Sequence, residues 1–455
     1  MRRAGVALAV ALLAGTPATL RAQGAGDHVP AQLSLEDAVR LALAHNPDYL
    51  GALTQRDAAN ASHLQSVGSF LPRVDASMGF SGADSRVVTG TDDFGNPIRR
   101  EDPLNSRFSS SSQFVGLDFT LLDGGTRFHQ LSAANAQIRA ADATGAAQRA
   151  TVTSLVSQRY YLALRDARLI ALAEQQLASA REQLDATRRR FAVAAADRID
   201  VLGAEGDVAN AEAALEEAHG TANKSKLDLL QAIGIALDTA FSLTSEPLAV
   251  FDPSTLDADS LVQLALTWSP NVAASRATLS ANSATLSAAH SQRWPTISAR
   301  AGWSRGLNLP GYDAIFEFNP PDRTYSFGLN VSLPIFSQFQ TQAAVGQAAA
   351  ARDRAEQDLR RQQLQTERDV RAALIDLRNA YRREQTAERA VQLSRERVEL
   401  ARQKYQVGAI DFTQLQAVVD RAQQDERNAV EALFTFVVAR VTLEEKLGRS
   451  VGPDR

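Results

Sequence analysis

The chain reads as a mainly α protein with a β part, built from two tandem copies of one unit: helix, strand, strand, long helix, helix. Two observations predict this. Val370, Leu377, Val391, Val398 and Tyr405 fall on one seven-residue lattice, and Leu415, Ala422, Ala429, Phe436 and Leu443 fall on another beyond a tight break at 406–414. Subtracting 214 from the second set lands on Val201, Val208, Leu215, Ala222 and Leu229, and the same offset matches Phe191 with Tyr405 and Gly234 with Gly448. A fixed offset over so many positions is the signature of an internal repeat.

The elements follow in order. Residues 1–22 carry Arg2 and Arg3, an apolar run from Ala4 to Ala14 and then small residues, which is the pattern of a cleaved secretory signal. The chain has no cysteine, so an exported product uses no disulfide, no thiolate metal site and no lipid on an N-terminal Cys. Removing Arg2, Arg3 and Arg21 takes the basic residues from 48 to 45 against 52 acidic ones, a net charge of −7, which argues against nucleic acid as a partner. No later stretch of about 18 apolar residues follows, so any route into a membrane is a β one.

The first repeat spans 23–250. Its leading helices cover about 34–70: Ser34 and Asp37 form a capping box, and Asn46-Pro47 restarts the helix. The period then changes from 3.6 to 2, giving strands at about 72–82 and 112–122, with Val74, Ala76, Met78 and Phe80 alternating with polar partners, and Val115, Leu117 and Phe119 doing the same. Helices follow at about 124–190 and 199–234. The second repeat spans 251–455, with helices at about 257–293, strands at about 295–305 and 323–334, and helices at about 338–405 and 413–448. The offset falls from 223 to 214 across the hairpins, so the first loop is nine residues longer. The segment 235–256 interrupts the helical pattern, as a linker or as small elements around a helical body.

Strands of about ten residues with one apolar face fit a transmembrane barrel, but four cannot close one; three copies give twelve strands and four give sixteen. Helices of about 67 residues reach roughly 100 Å at 1.5 Å per residue. Alanine pairs such as Ala133-Ala134 and Ala140-Ala141 allow close helix packing, which favours a sheath of helices over a solvated rod. The six histidines are scattered without metal-ligand spacing, Gly124-Gly125 lacks the Lys and Ser/Thr of a phosphate loop, and no nucleophile elbow occurs. No cofactor, no metal and no enzyme activity is expected. The competing reading is a periplasmic coiled-coil structural or adaptor protein, which the four amphipathic strands disfavour.

In their order, twice over, several motifs resemble the outer-membrane efflux protein family typified by TolC: Asn46-Pro47 and Ser269-Pro270, Leu71-Pro72 and Trp294-Pro295, Leu121-Leu-Asp-Gly-Gly125, Leu333-Pro-Ile-Phe336, and the turns after Arg190 and Lys404. The resemblance covers essentially all of the mature chain. It implies a homotrimer in the cell outer membrane, with a twelve-stranded β-barrel continued by a twelve-helix periplasmic α-barrel. It further implies a passive duct for efflux or type I secretion, joined through a periplasmic adaptor to an inner-membrane pump. Carried over, the adaptor-docking tips are Val193, Ala194 and Ala195, and Val407, Gly408 and Ala409. Ala194 departs from the family glycine, so the first tip either differs in backbone or bears strain of roughly 1 kcal/mol. A periplasmic gate is implied at Asp200, Tyr405 and Gln414; Gln414 and Ala417 stand where the family often has an acidic ring. Apart from the resemblance, Asp200 also reads as a helix cap.

Overall fold

The computed structural model describes residues 31–194, 196–236, 241–245 and 248–451. The expected signal segment and Ala195 lie outside them. After a short strand β1 (Gln32–Leu33) come α1 (Leu35–His45) and α2 (Pro47–Gly68), the hairpin β2 (Arg73–Thr91) and β3 (Pro97–Leu122), then α3 (Thr126–Ala192) and α4 (Arg198–Ile233). The second repeat has α5 (Ala258–Trp268), α6 (Pro270–Ser291), β5 (Thr296–Pro310), β6 (Asp322–Ser332), α7 (Gln340–Gln406) and α8 (Phe412–Leu447), with β4 (Ser242–Leu243) between the repeats. The helices repeat in length residue for residue: α3 and α7 have 67 each, and α4 and α8 have 36 each.

Local chemistry starts these helices. Ser34 accepts the Asp37 N–H at 3.1 Å and returns its hydroxyl to the Asp37 carboxylate at 2.8 Å, closing the first turn of α1. Asn46 accepts from the N–H groups of Asp48 and Tyr49, with Pro47 at the first helical position, and its amide also reaches the Ala232 carbonyl at 2.8 Å. Gly234 ends α4 beneath that junction, where a Cβ would come within 2.8 Å of the His45 carbonyl.

Each long helix is covered by two shorter ones. The half of α3 near its start faces α2, with Arg56 paired to Asp142; the other half faces α4 through Arg159–Asp228, Arg181–Glu212 and Arg188–Glu205. The main core sits at mid-length and draws on nearly every helix, including Val152, Val156, Tyr160, Leu229, Ile233, Val370, Leu374, Phe434, Phe436 and Leu443. The segment after α4 closes it: β4 pairs in parallel with β1, and Tyr160 donates to the carbonyls of Leu33 and Thr244. Arg378 fastens the next turn by donating to the Leu256 carbonyl at 2.7 Å. The segment thus supplies small elements at the girth.

The other four strands form one antiparallel sheet in the order β2-β3-β5-β6. Register assigns its two faces. Val74, Ala76 and Met78 share a face with Val115 and Leu117, with Ile297, Ala299, Ala301 and Trp303, and with Tyr325, Phe327, Leu329 and Val331. The opposite face carries Asp75, Ser77, Gly116, Asp118, Arg300, Ser326 and Asn330, with Phe114 as an aromatic exception lying over Gly116 and Gly302.

The first hairpin is much longer than the expected strands at 72–82 and 112–122, since β2 has 19 residues and β3 has 26. The added length scatters Val87, Val88, Ile98, Leu104 and Phe108 among polar residues without sustained alternation, so no period of two marked it. It ends in a turn where the Asp92 carboxylate accepts from the N–H groups of Phe94 and Asn96. In the second repeat the connecting loop 311–321 instead folds back onto the apolar side of the sheet. Ser109 and Ser111 become buried there, bonding the Ala314 N–H and the Glu317 carbonyl, and Phe316 and Phe318 pack on Phe80.

Candidate functional site

The end of the helical body farthest from the sheet is made by two turns. In the second, α7 runs to Gln406; the Ala409 N–H then returns to the Lys404 carbonyl at 2.8 Å and the Gly408 N–H to that of Tyr405 at 3.1 Å. That closure requires a left-handed residue, and Gly408 supplies it at φ +72°. Asp411 then caps α8 by accepting the Gln414 N–H at 2.7 Å. In the first turn, the Val193 and Ala194 N–H groups return to the carbonyls of Arg190 and Phe191. Ala194 is left-handed at φ +56°, so this tip keeps the glycine-type backbone and carries the strain. Val193 and Val407 are among the more exposed aliphatic side chains, at 74% and 80%. Ala194, Gly408 and Ala409 are exposed beside them.

Behind the tips the two repeats meet. Leu184, Ala204, Ala401, Tyr405, Phe412 and Leu415 form a small buried cluster, and a Cβ on Gly203 would touch Phe412 at 3.3 Å. The Arg190 guanidinium lies 4.2 Å from the centre of the Tyr405 ring and donates to the Tyr405 carbonyl at 3.3 Å. The Tyr405 hydroxyl itself is buried and has no hydrogen-bond partner among the described residues. A buried hydroxyl left unsatisfied costs about 1–3 kcal/mol.

The expected gate residues are therefore placed in different roles. Among the described residues Asp200 makes no hydrogen bond to Tyr405; its carboxylate accepts the Asp197 N–H at 3.2 Å as part of the capping box that opens α4. The helix starts at Arg198 with Asp197 as its N-cap, so Asp200 lies in its first turn and is not itself the N-cap. Gln414 is exposed and gives only its backbone N–H to the cap. Tyr405 is the one member at the contact between repeats.

Sequence reasoning missed two groups here. Arg190 is the repeat-mate of Lys404, and its pairing with the Tyr405 ring could have been sought from the Phe191–Tyr405 match. Asp207 on α4 and Asp420 on α8 stand close enough to repel: burial, and then the charge of Asp420, push the Asp207 carboxyl above its ordinary range. Neither lies on the buried heptad lattice, so periodicity gave no signal for them. Among the described residues no group of His, Asp or Glu could hold a metal ion, and no helix is long and apolar enough to cross a membrane.

Comparison with known proteins gives this architecture a family. The chain is 28% identical to Protein CyaE of Bordetella pertussis over 432 residues, covering 92% of this chain and 85% of that protein. It is 21% identical to outer membrane protein TolC of Vibrio cholerae over 407 residues, covering 89% and 88%. Its fold is similar to that of the CmeC outer membrane channel of Campylobacter jejuni, with a TM-score of 0.74 at 18% identity over 91% of this chain and 85% of that one. The family model described as outer membrane efflux protein matches residues 38–235 and 261–449, so both repeats are covered and the chain belongs to that family.

Proposed function

We propose that three copies of this chain assemble into a passive export duct: a twelve-stranded barrel in the outer membrane continued by a twelve-helix tunnel through the periplasm. The observation that carries the reading is the four-stranded sheet. It has one exposed apolar face, with Phe327 at 90% and Tyr325 at 73%, and both of its edges, β2 and β6, lack a partner strand among the described residues. Unpaired edges and bare apolar surface are costly in water, and unpaired edges are costly in lipid too; pairing β6 of one copy with β2 of the next removes the edges and turns the apolar face outward. The polar face then lines the lumen.

The helix tips are the docking points for the hairpins of a periplasmic adaptor, which links the duct to an energised inner-membrane pump. Support comes from their distance from the sheet, with helices of 67 residues between, and from the exposed valines at each turn. The closed state is held at Tyr405, where Arg190 locks the ring and the hydroxyl awaits an acceptor from a neighbouring copy. The chain does no chemistry of its own, and the transported solute is moved by the partner's energy.

The test separates docking from gating. Gly408→Trp is expected to abolish export while the amount of assembled protein in the membrane stays normal, because a bulky left-handed residue strains the turn and blocks the tip. Tyr405→Phe is expected to raise the conductance of single assemblies in a planar bilayer without loss of export. Normal export by Gly408→Trp overturns the assignment of the tips, and an unchanged conductance in Tyr405→Phe overturns that of the gate.

A further inference from the structure

The apolar face of the sheet ends abruptly at two arginines. Along β6 the outward series Val331, Leu329, Phe327, Tyr325 is followed by Arg323; along β5 the series Ile297, Ala299, Ala301, Trp303 is followed by Arg305. The register sets Trp303 opposite Tyr325 and Arg305 opposite Arg323. Like charges directly opposed across an antiparallel pair destabilise it unless something neutralises them.

Among the described residues neither Arg305 nor Arg323 forms an ion pair, whereas Arg107 on the same face is paired with Asp84 at 2.9 Å and Arg300 on the opposite face with Asp118 at 2.7 Å. The Nε of Arg305 is shut off from solvent and has no hydrogen-bond partner among the described residues. Gln113, its register neighbour on β3, turns its amide N–H to the Phe318 carbonyl at 2.6 Å, and the Glu317 carboxylate accepts the Asn319 N–H and forms no ion pair with either arginine among the described residues. A donor N–H shut off from water without an acceptor is costly, and two facing guanidinium charges with no carboxylate beside them repel, so an anion between them would stabilise the pair.

Its position names the anion's source. Trp303 and Tyr325 lie immediately on the apolar side, and Phe316 and Phe318 of the folded-back loop stand beside it, which is the aromatic girdle found where barrel surface meets lipid headgroups. We propose that Arg305 and Arg323 clamp the phosphate of a lipid headgroup in the leaflet facing the hairpin loops. Two guanidinium forks offer the planar, paired donors that phosphate oxygens accept. This rests on the reading that the sheet crosses the outer membrane.

The test titrates the purified full chain in detergent with diphosphoryl lipid A, with the same lipid stripped of both phosphates, and with inorganic phosphate, reading bound lipid by native mass spectrometry and the melting temperature alongside. Diphosphoryl lipid A is expected to bind and to raise the melting temperature. The double variant Arg305→Gln/Arg323→Gln should bind it about tenfold more weakly or worse, as loss of charge-assisted bonds implies, while Arg300→Gln should bind as the unaltered protein does. Equal binding by the double variant overturns the clamp, as does an equal response to inorganic phosphate, which makes the site a free-anion site. If both lipids bind the unaltered protein and the double variant alike, the membrane reading stands and the clamp falls. If neither lipid binds and the chain stays in the aqueous phase on detergent partitioning, the membrane reading falls with it.

Discussion

The two repeats place left-handed backbone at the same points but fill it with different residues. At the head of the first long helix stand Gly124 and Gly125, at φ +66° and +90°; their mates, 214 residues on, are Gln338 and Phe339 at +50° and +64°. At the tips the assignment is reversed, with Ala194 at +56° in the first repeat and Gly408 at +72° in the second. The backbone path is thus set by the packing of the long helices, and glycine is demanded only where space also fails. At Gly124 a Cβ would come within 2.6 Å of the Ser291 carbonyl and of Trp294 Cβ, whereas nothing lies within 4 Å of the Cβ position at Gly408. Gln338 and Phe339 are tolerated because the chain there is open. The Phe339 ring merely meets Phe336 edge-on at 5.6 Å, and the Ser337 hydroxyl bonds that of Thr341 across the helix start.

If space as well as φ governs these positions, Gly124→Ala should be the most damaging change, by about 2–4 kcal/mol, against about 1 kcal/mol for Gly125→Ala. Thermal melting of the detergent-solubilised protein reads the difference, and equal losses at the two positions would break the comparison.

A smaller effect of opposite sign is expected at the first tip. Ala194→Gly relieves the left-handed alanine and should stabilise by up to about 1 kcal/mol, less what glycine gains in the unfolded chain. Phe339→Gly makes the same exchange at the head of α7. A loss of stability in both variants would mean that the strain is absent.

The smallest effect is one of pH. Asp207 has its carboxyl pKa raised by burial and by Asp420, so the folded state holds its proton more tightly than the unfolded state does. Stability then falls as pH rises through the ordinary aspartate pKa and on through the raised one. Asp207→Asn should therefore increase thermal stability at pH 7 and leave it unchanged in acid below the ordinary pKa; a gain of the same size at both pH values would contradict the repulsion.

The helices were legible because burial imposes periodicity. Leu415, Ala422, Phe436 and Leu443 of one lattice are all buried, as are Val370, Leu377 and Tyr405 of the other. The outer halves of β2 and β3 were not legible: from Ala83 to Ser106 the few apolar residues, Val87, Val88, Phe94, Ile98 and Leu104, are scattered among serine, aspartate and arginine, and no period of two is sustained. The tips could be placed from the breaks in the lattices and from Gly408. The contact behind them could not, because Arg190 reaches Tyr405 across 215 positions in sequence and no local pattern encodes that meeting.

In the proposed assembly the open edges β2 and β6 meet in neighbouring copies. The chain contains no cysteine, so single cysteines placed along each edge, one from Asp75 to Ser81 and one from Thr324 to Asn330, report on it without background. Directly paired strands bring Cβ atoms to about 4.5–5.5 Å, within reach of a disulfide after oxidation. One register of pairs should crosslink in membranes into a species of three chains on a denaturing gel. Crosslinking in no register, from protein that runs as a monodisperse monomer in detergent, would contradict the account.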